Sequence, residues 1–252
     1  RKAGVSLTGD LWLTAVVGHE VGKEGTRRLI EHLRSGEMRP DAIVITEGPA
    51  AIWLASLGAT VFTITLTSDL GPIHTSRVPY ADNPARWMGE LLVAFQRLEE
   101  RFAESPPHPL CGREQLNVGI AHAGDYYNRL PTPVTVSGKW RWKPGKSFQD
   151  VQAELEALCQ EICDRSGLSY EISYDGPREP FEASADDPVV VALQSAAERA
   201  WGSPTEIIGR AVVGDANLFV NEGGVTTVYY GAARERITAH SDDERVSVEA
   251  LW

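Results

Sequence analysis

The chain is poor in the features that mark several large protein classes. Among 252 residues there are three cysteines, Cys111, Cys159 and Cys163, with no metal-knuckle spacing between them. Cys159 and Cys163 lie four apart on a predicted helix and read as reduced, half-buried thiols. An odd count without a disulfide framework points to a reducing cytoplasm rather than secretion. No apolar run approaches the roughly 18 residues that cross a bilayer, so no membrane span is expected. There is no large Lys/Arg cluster: Arg234, Arg236 and Arg245 are interrupted by Glu235, Asp242, Asp243 and Glu244. With 35 acidic against 24 basic residues and a net charge of −11, a nucleic-acid partner is not expected. No Gly-x-Gly-x-x-Gly follows a strand pattern, which argues against a dinucleotide-binding protein. Repeats and low-complexity stretches are absent. The opening Arg1-Lys2-Ala3-Gly4 has neither an initiator Met nor an apolar signal core, and reads as an internal start.

What is present is ordinary globular composition, 42% hydrophobic and 23% charged, enough for one large domain or two modest ones. Asp10 to Val17 is a continuous apolar run that predicts a strand buried on both faces, followed by a helix over Glu24 to Arg34 and a short strand over Ala42 to Thr46. Strand, helix, strand predicts a βαβ unit in a parallel sheet, with His19, Glu20 and Glu47 at its carboxyl edge. The pattern then changes. Ala59 to Thr67 alternates with period two, Pro84 to Phe102 is amphipathic, and Leu116 to His122 and Val134 to Trp142 read as strands. A second helix over Phe148 to Arg165 and a strand over Tyr170 to Tyr174 complete a β-α-β-β-α-β order, the ferredoxin-like plan. After Pro177 and Pro180 the α/β style resumes, with helices over Pro188 to Trp201 and Ala216 to Glu222 and strands over Glu206 to Ile208 and Thr226 to Tyr230. The expected fold is therefore a discontinuous mixed α/β domain made of residues 1–53 and 175–252, interrupted by an inserted α+β ferredoxin-like module over 54–174.

Adjacent polar residues at the mouth of a buried strand are costly unless solvated or bound. His19 and Glu20 stand there, between Gly18 and Gly22, and Glu47 precedes Gly48-Pro49 in a similar place. His240 lies in the loop after the last strand, beside Asp242 and Asp243. One imidazole and two carboxylates at one sheet edge are a plausible zinc or manganese site, whereas each alone reads as a solvated turn. His32, His108 and the tryptophans Trp12, Trp53, Trp87 and Trp201 read as surface, loop and core residues. Trp140 and Trp142 point to the sheet face opposite Arg141.

Several segments, in order, resemble one family. Leu11 to Thr26, containing Gly18-His19-Glu20-Val21-Gly22-Lys23-Glu24-Gly25-Thr26, is similar to the M20 strand that ends in Glu-Glu-Val-Gly-x-x-Gly-Thr. Thr46-Glu47-Gly48-Pro49 resembles that family's Glu-Pro turn, and Ile73-His74-Thr75-Ser76-Arg77 with Asn83-Pro84 its Ala-His-Ser-Ser segment. Leu116-Asn117-Val118-Gly119, Asn128-Arg129-Leu130-Pro131, Arg141 with Pro144-Gly145, Gly214-Asp215-Ala216 and Ala239-His240-Ser241-Asp242-Asp243-Glu244 follow in family order. The chain is thus identified as resembling the M20 metallopeptidases and aminoacylases almost end to end.

The resemblance implies a zinc-peptidase-like catalytic domain with an inserted lid and dimerisation domain. It implies a two-metal site, with Zn2+ and alternatively Mn2+ or Co2+, in which Glu20, Glu47 and His240 are ligands. It implies that the lid residue His74 acts catalytically across a homodimer, and that Asn128 and Arg141 hold the substrate, an N-acyl amino acid or small peptide. The sequence departs from the family in three ways. The family's opening portion, with its His-x-Asp segment, has no counterpart, so this chain alone is expected to be inactive. Gly48 intervenes before Pro49. The general-base position is His19: either a working proton acceptor or a replacement that has lost the chemistry, as in a non-catalytic dimeric ligand-binding module.

Overall fold

A computed structural model describes residues 6–233 and 241–248 of the chain. Its elements are α1 (Glu24–Ser35), β1 (Ile43–Ile45), β2 (Ile52–Ser56), β3 (Gly58–Thr67), α2 (Pro84–Glu104), β4 (Gln115–Ala123), β5 (Val134–Trp142), α3 (Phe148–Ser166), β6 (Ser169–Arg178), β7 (Phe181–Glu182), α4 (Pro188–Trp201), β8 (Ile207–Arg210), α5 (Asp215–Asn221) and β9 (Thr227–Tyr229). The strands divide into two sheets, and the chain passes from one to the other at Leu57, between β2 and β3.

The second sheet has strand order β4-β5-β3-β6 with every neighbouring pair antiparallel. Strict alternation decides its faces. On β5 the residues Val134, Val136, Trp140 and Trp142 are buried, while Thr135, Ser137, Lys139 and Arg141 between them are half-buried on the other face. Helices α2 and α3 cover the apolar face. Trp87, Leu91, Phe95, Leu98 and Phe102 recur at helical spacing on α2, and Val151, Leu155, Cys159, Ile162 and Cys163 on α3; all join the sheet's apolar residues in one core cluster. Full burial of an aromatic of this size stabilises by about 3 kcal/mol, so Trp140 and Trp142 anchor the layer. Both helices start on side-chain caps: Asn83 accepts from the backbone of Ala85, and Ser147 and Asp150 form a reciprocal capping box.

The other sheet is mixed. Its order is β1-β9-β2-β7, with β8 also on β2; β1 runs parallel to β9 and β8 to β2, while β7 and β9 are antiparallel to β2. Strand β2 is buried along all five residues, as a strand covered on both faces must be.

Two expectations are overturned here. Asp10 to Val17 forms no strand: the segment is irregular, and Leu11, Trp12, Leu13 and Val17 are 82%, 62%, 97% and 70% exposed. An apolar run states that a segment can be buried, but a two-face strand also needs a paired neighbour and cover, and no described strand lies beside it. Trp12 is accordingly no core residue. Without that strand the expected βαβ unit is absent among the described residues, and their sheet is mixed rather than parallel. Among the described residues no helix is long and apolar enough to cross a membrane.

Candidate active site

The chemistry gathers where the irregular N-terminal segment meets the end of β1 and the start of α5. Gly18, in the left-handed region at φ 79°, turns the chain, and its carbonyl accepts from the backbone N–H groups of Val21 and Lys23. Gly22 does not take that conformation; Lys23 does instead, at φ 59°, which a side-chain-bearing residue adopts only at a cost of about 1–3 kcal/mol. That twist carries the Lys23 ammonium inward, where the residue is 7% exposed.

Four side chains meet there. His19 Nδ1 lies 2.8 Å from Asp215 Oδ2, and His19 Nε2 lies 3.6 Å from Glu47 Oε1. Lys23 Nζ is 2.9 Å from His19 Nδ1 and 3.3 Å from Asp215 Oδ1. The two short contacts at Nδ1 demand opposite roles, since a carboxylate only accepts and an ammonium only donates. We assign the proton to Nδ1, donating to Asp215, because the contact is shorter and the acceptor charged. Lys23 then serves Asp215 by charge. Its 3.3 Å approach lies off hydrogen-bond geometry, so Oδ1 is ion-paired yet accepts no hydrogen bond. With Nδ1 fixed in this way, Nε2 is the free edge of the ring, turned toward Glu47.

Asp215 is 4% exposed and rigidly delivered. It opens α5. Ahead of it the backbone N–H of Gly214 donates to Asn217 Oδ1 at 2.9 Å, and behind it Ala216 N donates to the Tyr229 hydroxyl at 3.0 Å. Asn217, 1% exposed, also donates to the carbonyls of Leu57 and Glu179 and accepts from Ser56 Oγ, tying α5 to the point where β2 gives way to β3. A side chain at Gly214 would collide with the Tyr229 hydroxyl. Tyr229 itself is stacked on Trp53, and burial drives its phenol well above the ordinary tyrosine range.

The sequence-predicted residues fall into separate groups. His19 and Glu47 come together. Glu20 is exposed and makes no hydrogen bond or ion pair among the described residues, and His240 lies outside them. In the loops after β3 and β4, His74 and Asn128 are brought side by side: His74 bridges Arg129, Thr75 N donates to the carbonyl of Asn128, and Leu130 N donates to that of Ile73. The His74 ring turns back on its own loop, with Nδ1 2.8 Å from Ser76 Oγ. Beside it opens a cleft of 470 Å³ bordered by Thr75, Asn83, Asp125, Tyr126, Tyr127 and Arg129. Arg141 stands apart on the open face of β5 and donates to the carbonyl of Ala211 at 2.9 Å. Ala211 begins the loop that leads into Asp215, so Arg141 and the His19 cluster share one backbone segment.

The described residues do not by themselves fit a two-metal site. No group of three or more His, Cys, Asp and Glu side chains among them is arranged to hold an ion, and the buried carboxylate nearest His19 is committed to that ring and to an ammonium. Two members of the cluster were not singled out by sequence. Asp215 belongs to a recognisable Gly-Asp-Ala segment, which signals a position but no role; Lys23 left no signal at all.

The model of peptidase family M20/M25/M40 matches residues 1–252. The N-formyl-4-amino-5-aminomethyl-2-methylpyrimidine deformylase of Bacillus subtilis is 22% identical over 276 residues, taking in 100% of this chain and 63% of that protein. Aminopeptidase PepT from Bacillus cereus shares the fold with a TM-score of 0.68 at 16% identity, over 90% of this chain and 58% of that one. The M20 family metallo-carboxypeptidase Sso-CP2 from Sulfolobus solfataricus gives a TM-score of 0.63 at 16% identity, over 89% of this chain and 63% of that one. The chain thus spans about six tenths of the length of these relatives.

Proposed function

Because this chain belongs to peptidase family M20/M25/M40, we propose that the protein carrying it hydrolyses the amide bond of N-acyl amino acids or small peptides, with His19 as the proton acceptor. The observation that carries the reading is the ring's fixation: Asp215 holds Nδ1, so Nε2 is presented as a base at the sheet edge beside Glu47. A positioned imidazole contributes about 10²–10⁴-fold to proton transfer. His74 and Asn128 on two bridged loops and Arg141 on β5 are the proposed substrate contacts, Arg141 meeting the free carboxylate through its unused N–H groups. M20 enzymes are typically metal-dependent. Zinc is the proposed ion, with Glu20, Glu47 and His240 the proposed ligands, but the proton-transfer step above is argued from side chains alone.

A homodimer through the second sheet is part of the proposal. Its edge strand β4 carries no Asp, Glu, Lys or Arg along nine residues and exposes Ile120, whereas exposed edges in monomers are usually guarded by charge. The second reading, a dimeric ligand-binding module without catalysis, is favoured by one observation: Glu20 is exposed and makes no hydrogen bond or ion pair to the cluster that holds His19. The deciding experiment is release of free amino acid from a panel of N-acyl amino acids and dipeptides by the protein that carries this chain. His19→Ala is expected to cut turnover by at least about 100-fold while leaving the circular dichroism spectrum intact. An unchanged rate would remove His19 from catalysis, and no turnover of any substrate by the native protein would favour the binding module.

A further inference from the structure

The open face of the second sheet holds an uncompensated cluster of positive charge. Lys139 and Arg141 are two residues apart on β5, and so on one face about 7 Å apart along the strand. Arg141 is paired in register with Ala59 of β3, and Ala59 is paired in turn with Arg178 of β6, so the two guanidinium side chains leave the same face across one intervening strand. The residue between them, Ala59, has a single methyl group for a side chain and is 2% exposed. A small residue between two arginines, with a lysine one step along, makes a cationic patch.

None of these cations has a carboxylate partner among the described residues. Lys139 makes no hydrogen bond or ion pair; Arg141 uses one N–H on the carbonyl of Ala211; Arg178 uses one on the carbonyl of Gly176, and its Nε is buried with no acceptor. The nearest carboxylate in register on this face is Asp175, opposite Val61 as Lys139 is; Glu171, opposite Thr65, lies two same-face positions further along, and both are exposed and form no ion pair. The ammonium of Lys139 accordingly holds its proton less tightly than an ordinary lysine, chiefly through partial burial and then through the neighbouring charges of Arg141 and Arg178. Like charges held this close, with a buried donor left unpaired, cost stability that a bound anion would offset. At the end of the sheet where the three cations lie, Asp175 alone opposes them, an excess of two that a single carboxylate ligand does not neutralise.

We propose that Lys139, Arg141 and Arg178 form a dicarboxylate subsite, so that the substrate's free-carboxylate end is an acidic residue. Arg141 takes the α-carboxylate, and Lys139 and Arg178 take the side-chain carboxylate. This deepens the proposed function and rests on its assignment of Arg141 to the substrate carboxylate.

The test is calorimetric titration of the full chain with glutarate, butyrate and inorganic phosphate at low ionic strength. Glutarate should bind at least about tenfold tighter than butyrate, as expected for one added charge-assisted contact. Lys139→Met and Arg178→Met should each bring glutarate close to butyrate while leaving butyrate unchanged, and Lys139→Arg should restore most of the preference. Arg141→Met should weaken both acids. Equal binding of glutarate and butyrate, with Arg141→Met still weakening both, would overturn the dicarboxylate subsite and leave the Arg141 assignment standing. Indifference of all three ligands to Arg141→Met would sink that assignment as well. Phosphate binding as tightly as glutarate would overturn the proposal too, since the patch would then read charge without carboxylate spacing.

Discussion

Lys23 and Asp215 are 8% and 6% exposed at their side chains, so water is nearly excluded from both sides of their contact at 3.3 Å. A buried pair contributes little relative to an apolar pair, but removing one partner strands the other, at about 3–5 kcal/mol. Lys23→Met is therefore expected to destabilise the chain by about 3 kcal/mol in urea titrations followed by tryptophan fluorescence, and Lys23→Met/Asp215→Asn by less than the sum of the single changes. Strict additivity would mean that the pair is not coupled. Asp215→Asn carries a second expectation. An amide in that place is free to present its N–H to Nδ1 and so favour the other tautomer, with the proton on Nε2. The turnover number should fall with little change in KM, since Asp215 acts on the ring and not on the substrate. A rise in KM at constant turnover would place Asp215 in substrate binding instead.

At the scale of elements, the same alternation that buries Trp140 and Trp142 under the helices turns Lys139 and Arg141 to the open face, so one strand serves the core on one side and the proposed subsite on the other. Strand β4 is the weak edge of that sheet. A charge on it should block pairing with a second copy: Ile120→Lys is expected to shift the protein from dimer to monomer in light-scattering chromatography without loss of helical signal. A native protein that is already monomeric would end the dimer proposal. Helix α3 depends on its capping box, and Ser147→Ala should cost about 1 kcal/mol in the same urea titration, leaving α2 with its separate Asn83 cap.

For the molecule as a whole, buried thiols set an alkaline limit. Cys111, beside the mixed sheet, and Cys159, in the core of the second, are pushed from 9.0 to about 12, in both cases first by burial. The folded state keeps these protons where the unfolded chain releases them. The stability they contribute is therefore intact below about pH 9 and is lost progressively as pH rises from 9 toward 12. Melting temperatures between pH 8 and pH 11 should fall in native protein, and fall less steeply in Cys111→Ala/Cys159→Ala; identical slopes would rule the thiols out. Below pH 9 both thiols should resist iodoacetamide until the chain unfolds.

Periodicity alone determined much of this protein. The stripes of α2 and α3, the alternation of β3 and β5, and the β-α-β-β-α-β order are local statements about which side of an element is apolar, and the residues that make them are adjacent in sequence. So is the opposition of Arg141 to its two tryptophans, and so is the string of family segments that singled out His19, Glu47, His74 and Asn128. What local pattern cannot supply is a partner. The apolar run over Asp10 to Val17 had the composition of a buried strand and found no described neighbour, so it stays exposed. Strand β2 was not anticipated, although it is the strand that pairs with β7, β8 and β9. The cluster around His19 belongs to tertiary structure entirely: Asp215 stands 196 residues away in sequence, and Lys23 reaches it only through a left-handed backbone twist. The sequence named the imidazole. Packing of α5 against β9 through Tyr229, and against the β2–β3 junction through Asn217, decided which carboxylate holds it, because a contact between distant residues is fixed only when the elements carrying them are docked.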